Sequence, residues 1–176
     1  MKYFTSDMWR GVNSSNKAVF KKTELMWKRN GKAYSKQLEV LKKYLGKRNY
    51  SFFKNVSLHD SIFISFKFNQ YKDENIQKIL SLPFDLRKRT IEIITKKFEK
   101  NQIVKLIYKK VFSVFMDLPQ KASLFDDSNY LGDWGYDELT LDKNDHFQHE
   151  ILFSTGATIK IIFEKFDFKY LTKPET

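Results

Sequence analysis

Apolar and weakly polar residues recur along the first fifty positions at steps of three and four. Val19/Phe20, Thr23, Met26/Trp27, Asn30, Tyr34, Leu38, Leu41 and Leu45 fall on one side of a helix, the spacing that 3.6 residues per turn imposes on a buried stripe. The pattern predicts helix over 16–45. Ser14 or Ser15 serves as N-cap, and Gly46 stands just past the end, with Lys42 and Lys43 near the negative pole of the dipole. Asn30-Gly31 interrupts the stripe. Either one helix tolerates the glycine, at about 1 kcal/mol against alanine, or two helices meet there. Residues 1–12 read as an extended lead-in with Tyr3, Phe4, Met8 and Trp9 as anchors.

Beyond residue 55 the period changes from 3.6 to 2. SIFISFKF at 61–68 predicts a strand with Ile62, Ile64, Phe66 and Phe68 on one face. Residues 73–82 suit a short helix before Pro83. Residues 89–98 alternate Ile91, Ile93 and Thr95 against Glu92 and Lys96, and 102–117 are long enough for a bent strand or two. A loop is marked at 126–129. Three more strands follow over 134–142, 146–153 and 157–168, with turns at Asp142-Lys143-Asn144-Asp145 and Ser154-Thr155-Gly156. Short turns cannot join parallel strands. The expected fold is therefore α+β: a basic N-terminal helix, or helix pair, over residues 1–50, packed on a curled antiparallel meander or partly open barrel of about six strands over 51–176. The two parts are expected to form one structural unit.

Composition sharpens this picture. Seventeen Phe and nine Tyr against six Gly and three Pro suit a pleated, half-buried surface. With no cysteine, disulfides, thiol catalysis and thiolate metal sites are excluded. That absence, together with a first segment lacking an apolar signal region and no run of about 20 apolar residues, points to a soluble cytoplasmic protein with no membrane association. The lysine-heavy composition suggests bacteria. The charge is lopsided. Residues 1–50 carry 13 Lys/Arg against Asp7, Glu24 and Glu39, a net +10, whereas the remaining 19 Lys/Arg and 18 Asp/Glu leave +1. Positive potential gathered at one end is a steering or adhesive surface.

Four groups of residues are candidates for chemistry. His59-Asp60 sits at the mouth of the first strand. In a regular strand neighbouring side chains point apart, so the pair reads as punctuation: Asp60 and Ser61 meeting backbone donors, His59 packed and singly bonded. His146 and His149 share a face on a helix but not on a strand, so His59 and His149 form only a slender metal proposal, and no cofactor is expected. In Asp133-Trp134-Gly135-Tyr136-Asp137-Glu138, alternation puts Trp134 with Tyr136 and Glu138, and Asp137 opposite. The fourth group is the stripe Lys17, Lys21, Lys28, Lys32, Lys36, Lys43 and Lys47. Like charges four apart weaken a helix by about 0.2–0.5 kcal/mol, so the stripe does not serve helix stability. Lys21, Lys28, Lys32, Lys36, Lys43 and Lys47 are the candidate binding residues.

Several short segments in this order, MKYFT at 1–5, LHDSIF at 58–63, WGYDEL at 134–139, HEILF at 149–153 and IKIIFEKFDF at 159–168, resemble an uncharacterised bacterial family known only as a domain of unknown function. The resemblance implies an α+β protein and carries no catalytic assignment. Should the LHDS and WGYDE segments meet in space, His59, Asp60, Asp137 and Glu138 are the constellation of interest.

Phosphate-cradling glycine loops, nucleophile elbows and zinc-protease helices are all missing from the sequence. The leading expectation is a non-enzymatic protein that binds an acidic partner through its basic helix. The alternatives are a non-specific nucleic-acid binder using the same lysines, and a hydrolase or metal-dependent enzyme built on His59 and Asp60 with nearby acids. Nothing in the sequence decides between monomer and homodimer.

Overall fold

The computed structural model describes residues 1–69, 89–97, 102–118 and 131–171. The short helix expected over 73–82 and the loop at 126–129 lie outside the described residues. The fold is α+β. Among the described residues two helices, α1 (Ser6–Val12) and α2 (Lys17–Asn55), precede six antiparallel strands: β1 (Ser61–Asn69), β2 (Thr90–Lys96), β3 (Ile103–Asp117), β4 (Asp133–Leu141), β5 (Phe147–Phe153) and β6 (Thr158–Leu171).

The strands close into a ring in the order β1-β2-β3-β6-β5-β4. This differs from one simple meander. Two three-stranded meanders meet where the two longest strands, β3 and β6, pair along their length. The ring shuts at β1 and β4 through two residue pairs, Ser61 with Trp134 and Ile62 with Asp133. Beyond that seam α2 provides what β1 does not: the Tyr34 hydroxyl accepts from the Leu139 N–H at 2.9 Å. Leu38, Leu41 and Leu45 enter the core beside Ile91, Leu106, Leu139 and Ile161.

Period-2 parity fails where a strand holds an extra residue. The β1–β2 register shifts between Phe63 and Ser65, so Phe63 and Phe66 turn to the core while Ile62 and Ile64, 43% and 50% exposed, face outward. The four alternating residues of β1 therefore do not share one face.

The N-terminal region also differs from its expected form. Residues 6–12 are helical rather than extended, because Thr5 caps α1, its Oγ1 accepting from the Met8 N–H. Asn16, not Ser14 or Ser15, caps α2, with Oδ1 accepting from Ala18 and Val19 at 3.0 and 3.3 Å. Gly31 passes unnoticed within the helix. The break comes at Gly46, whose φ of 73° and ψ of 159° lie in a region essentially reserved for glycine. Helix then resumes to Asn55 instead of ending at residue 45. The two arms fold back on each other: Lys54 Nζ reaches Glu39 Oε1 at 2.7 Å, although fifteen residues of straight helix span about 22 Å.

The second arm is fastened to β6. Arg48 lies over the Phe168 ring at 4.1 Å, pairs with Asp167 and donates to the Phe168 carbonyl. Asn49 donates to the Phe166 carbonyl at 2.8 Å, and Phe52 packs on Phe168 with centroids 4.4 Å apart. Burial pushes the Asp167 carboxyl up, but the Arg48 guanidinium, the Phe168 N–H and the Lys109 ammonium together hold it below its ordinary value. A carboxyl depressed in the folded state adds stability that is present above its unfolded value and lost as pH falls through the folded one. Urea midpoints should accordingly drop below about pH 4, and Arg48→Met should flatten that part of the profile. An unchanged profile in the variant would show that the pair contributes nothing.

Candidate functional site

β4 carries polar side chains to both of its faces, and a bulge decides which residue goes where. The β4–β5 register shifts between Trp134 and Tyr136. Trp134 and Tyr136 are thereby placed on opposite faces, correcting the expected alternation, while Trp134 and Asp137 both point inward.

On the inner face a polar row crosses the core. Trp134 Nε1–H donates to Asp137 Oδ1 at 2.9 Å, His149 Nε2 lies 3.0 Å from Asp137 Oδ2, and the Tyr108 hydroxyl lies 2.8 Å from His149 Nδ1. Trp134, Tyr108 and His149 are fully buried. Burial, and then the charge of Asp137, push the Tyr108 phenol well up, so its hydroxyl stays protonated. The consistent assignment is Tyr108 O–H donating to Nδ1 and His149 Nε2–H donating to the carboxylate, with every polar atom of the row satisfied. Tyr34 overlooks it from α2, its phenol raised chiefly by burial and then by Asp137. Phe53 closes it edge-on against the His149 ring at 5.3 Å. Such a row fixes the core in one arrangement. General acid–base catalysis needs substrate atoms within about 3 Å of the acting group, and neither His149 nor Tyr108 meets solvent.

The outer face holds the N-terminal segment. Tyr136 packs against Trp27, Trp9, Phe4 and His59 with centroids 4.6, 5.3, 5.9 and 4.7 Å away. Glu138, 1% exposed, accepts from the Tyr3 and Phe4 amides at 2.7 and 3.3 Å and from the Lys2 amide. The Met1 amino group pairs with Glu150, to which Gln148 also donates at 2.6 Å. One buried carboxylate thus organises three backbone donors. Glu138→Ala should leave the Lys2, Tyr3 and Phe4 amides unprotected in hydrogen exchange and cost about 2 kcal/mol. Retained protection would show that the segment is held by its aromatics alone.

His59 and Asp60 lie on this outer side. His59 Nδ1–H donates to the Gly135 carbonyl at 2.6 Å. Against the expectation that the two side chains diverge, Asp60 Oδ1 approaches His59 Nε2 to 3.4 Å. The reason is local: β1 begins at Ser61, and Asp60, with φ of 58°, belongs to a left-handed turn. The expected service to backbone donors also fails at Ser61, whose buried Oγ has no partner among the described residues.

The LHDS and WGYDE segments do meet, but their polar residues divide between two faces. His59, Asp60 and Glu138 are outside, and Asp137 and His149 inside, so His59 and His149 do not form one site. His146 stacks on Phe112 at 4.0 Å, away from His149. Among the described residues no group of three or more His, Asp or Glu could hold a metal ion. A cleft of about 350 Å³ is lined by Met1, Lys2, Gln37, Glu138, Gln148 and Glu150 among others. A second, of about 260 Å³, opens between the arms of α2 at Tyr34, Ser35, Lys36, Leu38, Phe53 and Lys54. Neither includes His59, Asp60 or His149.

No family model matches the chain, and no curated protein or solved structure matches it either.

The third arrangement is the outward side of α2. Lys21, Lys28, Lys32, Lys36, Lys43 and Lys47 are all exposed. Lys28 pairs with Glu24 at 2.6 Å and Lys43 lies over the Tyr44 ring at 4.6 Å; Lys21, Lys32, Lys36 and Lys47 have no carboxylate partner among the described residues. The ring is mixed: Lys105 pairs with Glu92, Lys109 with Asp167, Lys110 with Glu164 and Lys160 with Glu150, whereas Lys67, Lys96, Lys165 and Lys169 have no carboxylate partner among the described residues. No described helix is long and apolar enough to cross a membrane.

Reasoning from sequence overlooked Tyr108, Tyr34 and the aromatic seat of Tyr136. A signal for the inner row does exist: His149 shares its parity with Phe147, Ile151 and Phe153, a wholly apolar face in which a lone imidazole must find partners.

Proposed function

We propose that this chain is a non-enzymatic interaction protein of the bacterial cytoplasm that binds an acidic protein through the outward face of α2. The observation that carries the reading is the unmatched charge of that face: among the described residues five of its six candidate lysines have no carboxylate partner, whereas half of the lysines in the strands of the ring are paired. Unpaired, solvated charge steers association with an opposite field. Apolar residues interleaved with the lysines favour a protein over a nucleic acid. Leu25, Val40 and Tyr44 are 62%, 57% and 58% exposed on α2, and protein interfaces combine apolar centres with charged rims, whereas phosphate tracking needs only cations.

Titration against polyglutamate and against a DNA duplex tests it. Binding to polyglutamate should be measurable at about 50 mM salt and fall steeply by about 200 mM. Lys32→Glu/Lys36→Glu/Lys43→Glu should weaken it by about tenfold or more without changing the circular dichroism of the fold. Absence of salt-sensitive binding to either probe would overturn the reading, and markedly tighter binding to the duplex would transfer it to nucleic acid.

A further inference from the structure

Resting on that reading, the geometry points to the shape of the partner: an amphipathic acidic helix of four to five turns, laid lengthwise along α2. Leu25, Arg29, Lys32, Lys36, Val40 and Lys43 are separated by steps of three and four, so they stand above one another on one side of the helix. That side is diametrically opposite Tyr34, Leu38, Leu41 and Leu45, which face the ring. The stripe is ordered, with an apolar residue near each end and three cations between. From Leu25 to Val40 it runs about 22 Å.

A segment laid along this line is either extended or helical, and the backbone decides. The middle of a helix offers no free N–H or C=O to a neighbour, since its own are used within the helix. An extended segment resting there leaves its backbone groups without partners wherever the contact excludes water, at a cost comparable to a lost hydrogen bond for each. A helix satisfies its own backbone and presents side chains at the same three-and-four spacing. Its matching face carries an apolar residue toward each end, about fifteen residues apart, and acids between them.

A second copy of this chain is a poor occupant. Residues 1–50 carry a net +10, from 13 Lys/Arg against three acids, so two such faces would set like charges opposite one another, which suppresses association.

The test uses the whole chain and two synthetic peptides of identical composition, each about 18 residues or five turns long. One places its glutamates on a single face between two leucines; the other distributes the same residues around the helix. The patterned peptide should bind about tenfold more tightly and gain helical circular dichroism on binding. Leu25→Ser/Val40→Ser should remove the preference for it, and Lys32→Glu/Lys36→Glu should weaken both peptides. Equal binding of the two peptides, or binding without a gain in helicity, overturns the helical partner while leaving the acidic-partner reading intact, provided the charge-reversal variant still loses affinity. If neither peptide nor polyglutamate binds, both inferences fall.

Discussion

Asp137→Ala should lower the stability of the fold by about 3 kcal/mol or more, because the Trp134 and His149 N–H groups that converge on the carboxylate would both be left buried without an acceptor. For a chain of this size that is a fall in Tm of roughly 6–12 °C. Asp137→Asn should be milder, near 1 kcal/mol. The amide oxygen can still accept from Trp134 while its NH2 donates to His149 Nε2, provided His149 moves its proton to Nδ1 and Tyr108 becomes an acceptor. Parallel thermal and urea melts of the two variants, with Trp fluorescence reporting on Trp134, check the ordering. Equal losses in both would show that the row has no directional logic and that Asp137 matters only for its volume.

Gly135→Ala should cost about 2–3 kcal/mol by overpacking. A Cβ at this position would stand 2.3 Å from the Trp9 ring and 2.8 Å from the Leu152 carbonyl oxygen, so Trp9 must leave its place against β4. A double-mutant cycle with Trp9→Ala isolates this contact: the Gly135→Ala penalty should shrink in the Trp9→Ala background, with the remainder belonging to Leu152. If the single substitution changes stability by less than about 0.5 kcal/mol, Trp9 does not rest there in solution.

Strand positions were legible in the sequence because alternation is a local property. The segments expected at 61–68, 89–98, 102–117, 134–142, 146–153 and 157–168 each contain or overlap a strand of the ring. Orientation was legible only where the alternation is unbroken. In β5, parity puts His149 among apolar residues correctly; at Ile64 and Gly135 an extra residue enters the strand, and every inference from odd and even positions reverses across it. The pairing of β3 with β6 was equally hidden, since strand order depends on contacts between residues far apart in the chain.

Helix ends show a similar division. The stripe of α2 announced which side is buried, but not that Gly46 reverses the chain instead of ending the helix. Gly31 and Gly46 look alike in sequence; the residues C-terminal to Gly46 make the difference. Phe52 and Phe53 find aromatic partners on Phe166 and Phe168 of β6 only if the chain turns back at residue 46. Of the candidate constellation, the meeting of LHDS with WGYDE could be anticipated, whereas its division between two faces could not, because the bulge at Gly135 sets it.

The two-pair junction between Ser61-Ile62 and Asp133-Trp134 has a bearing on how the molecule assembles. Each three-stranded half is built largely from neighbours in sequence, so its loops close early at small entropic expense. Joining the free margins of the halves demands the widest sequence separation of any strand pairing in the ring and returns few hydrogen bonds, the kind of non-local step that slows folding. The halves should therefore anneal along β3 and β6 first. The hoop then latches last, once the doubled-back helix has settled across it.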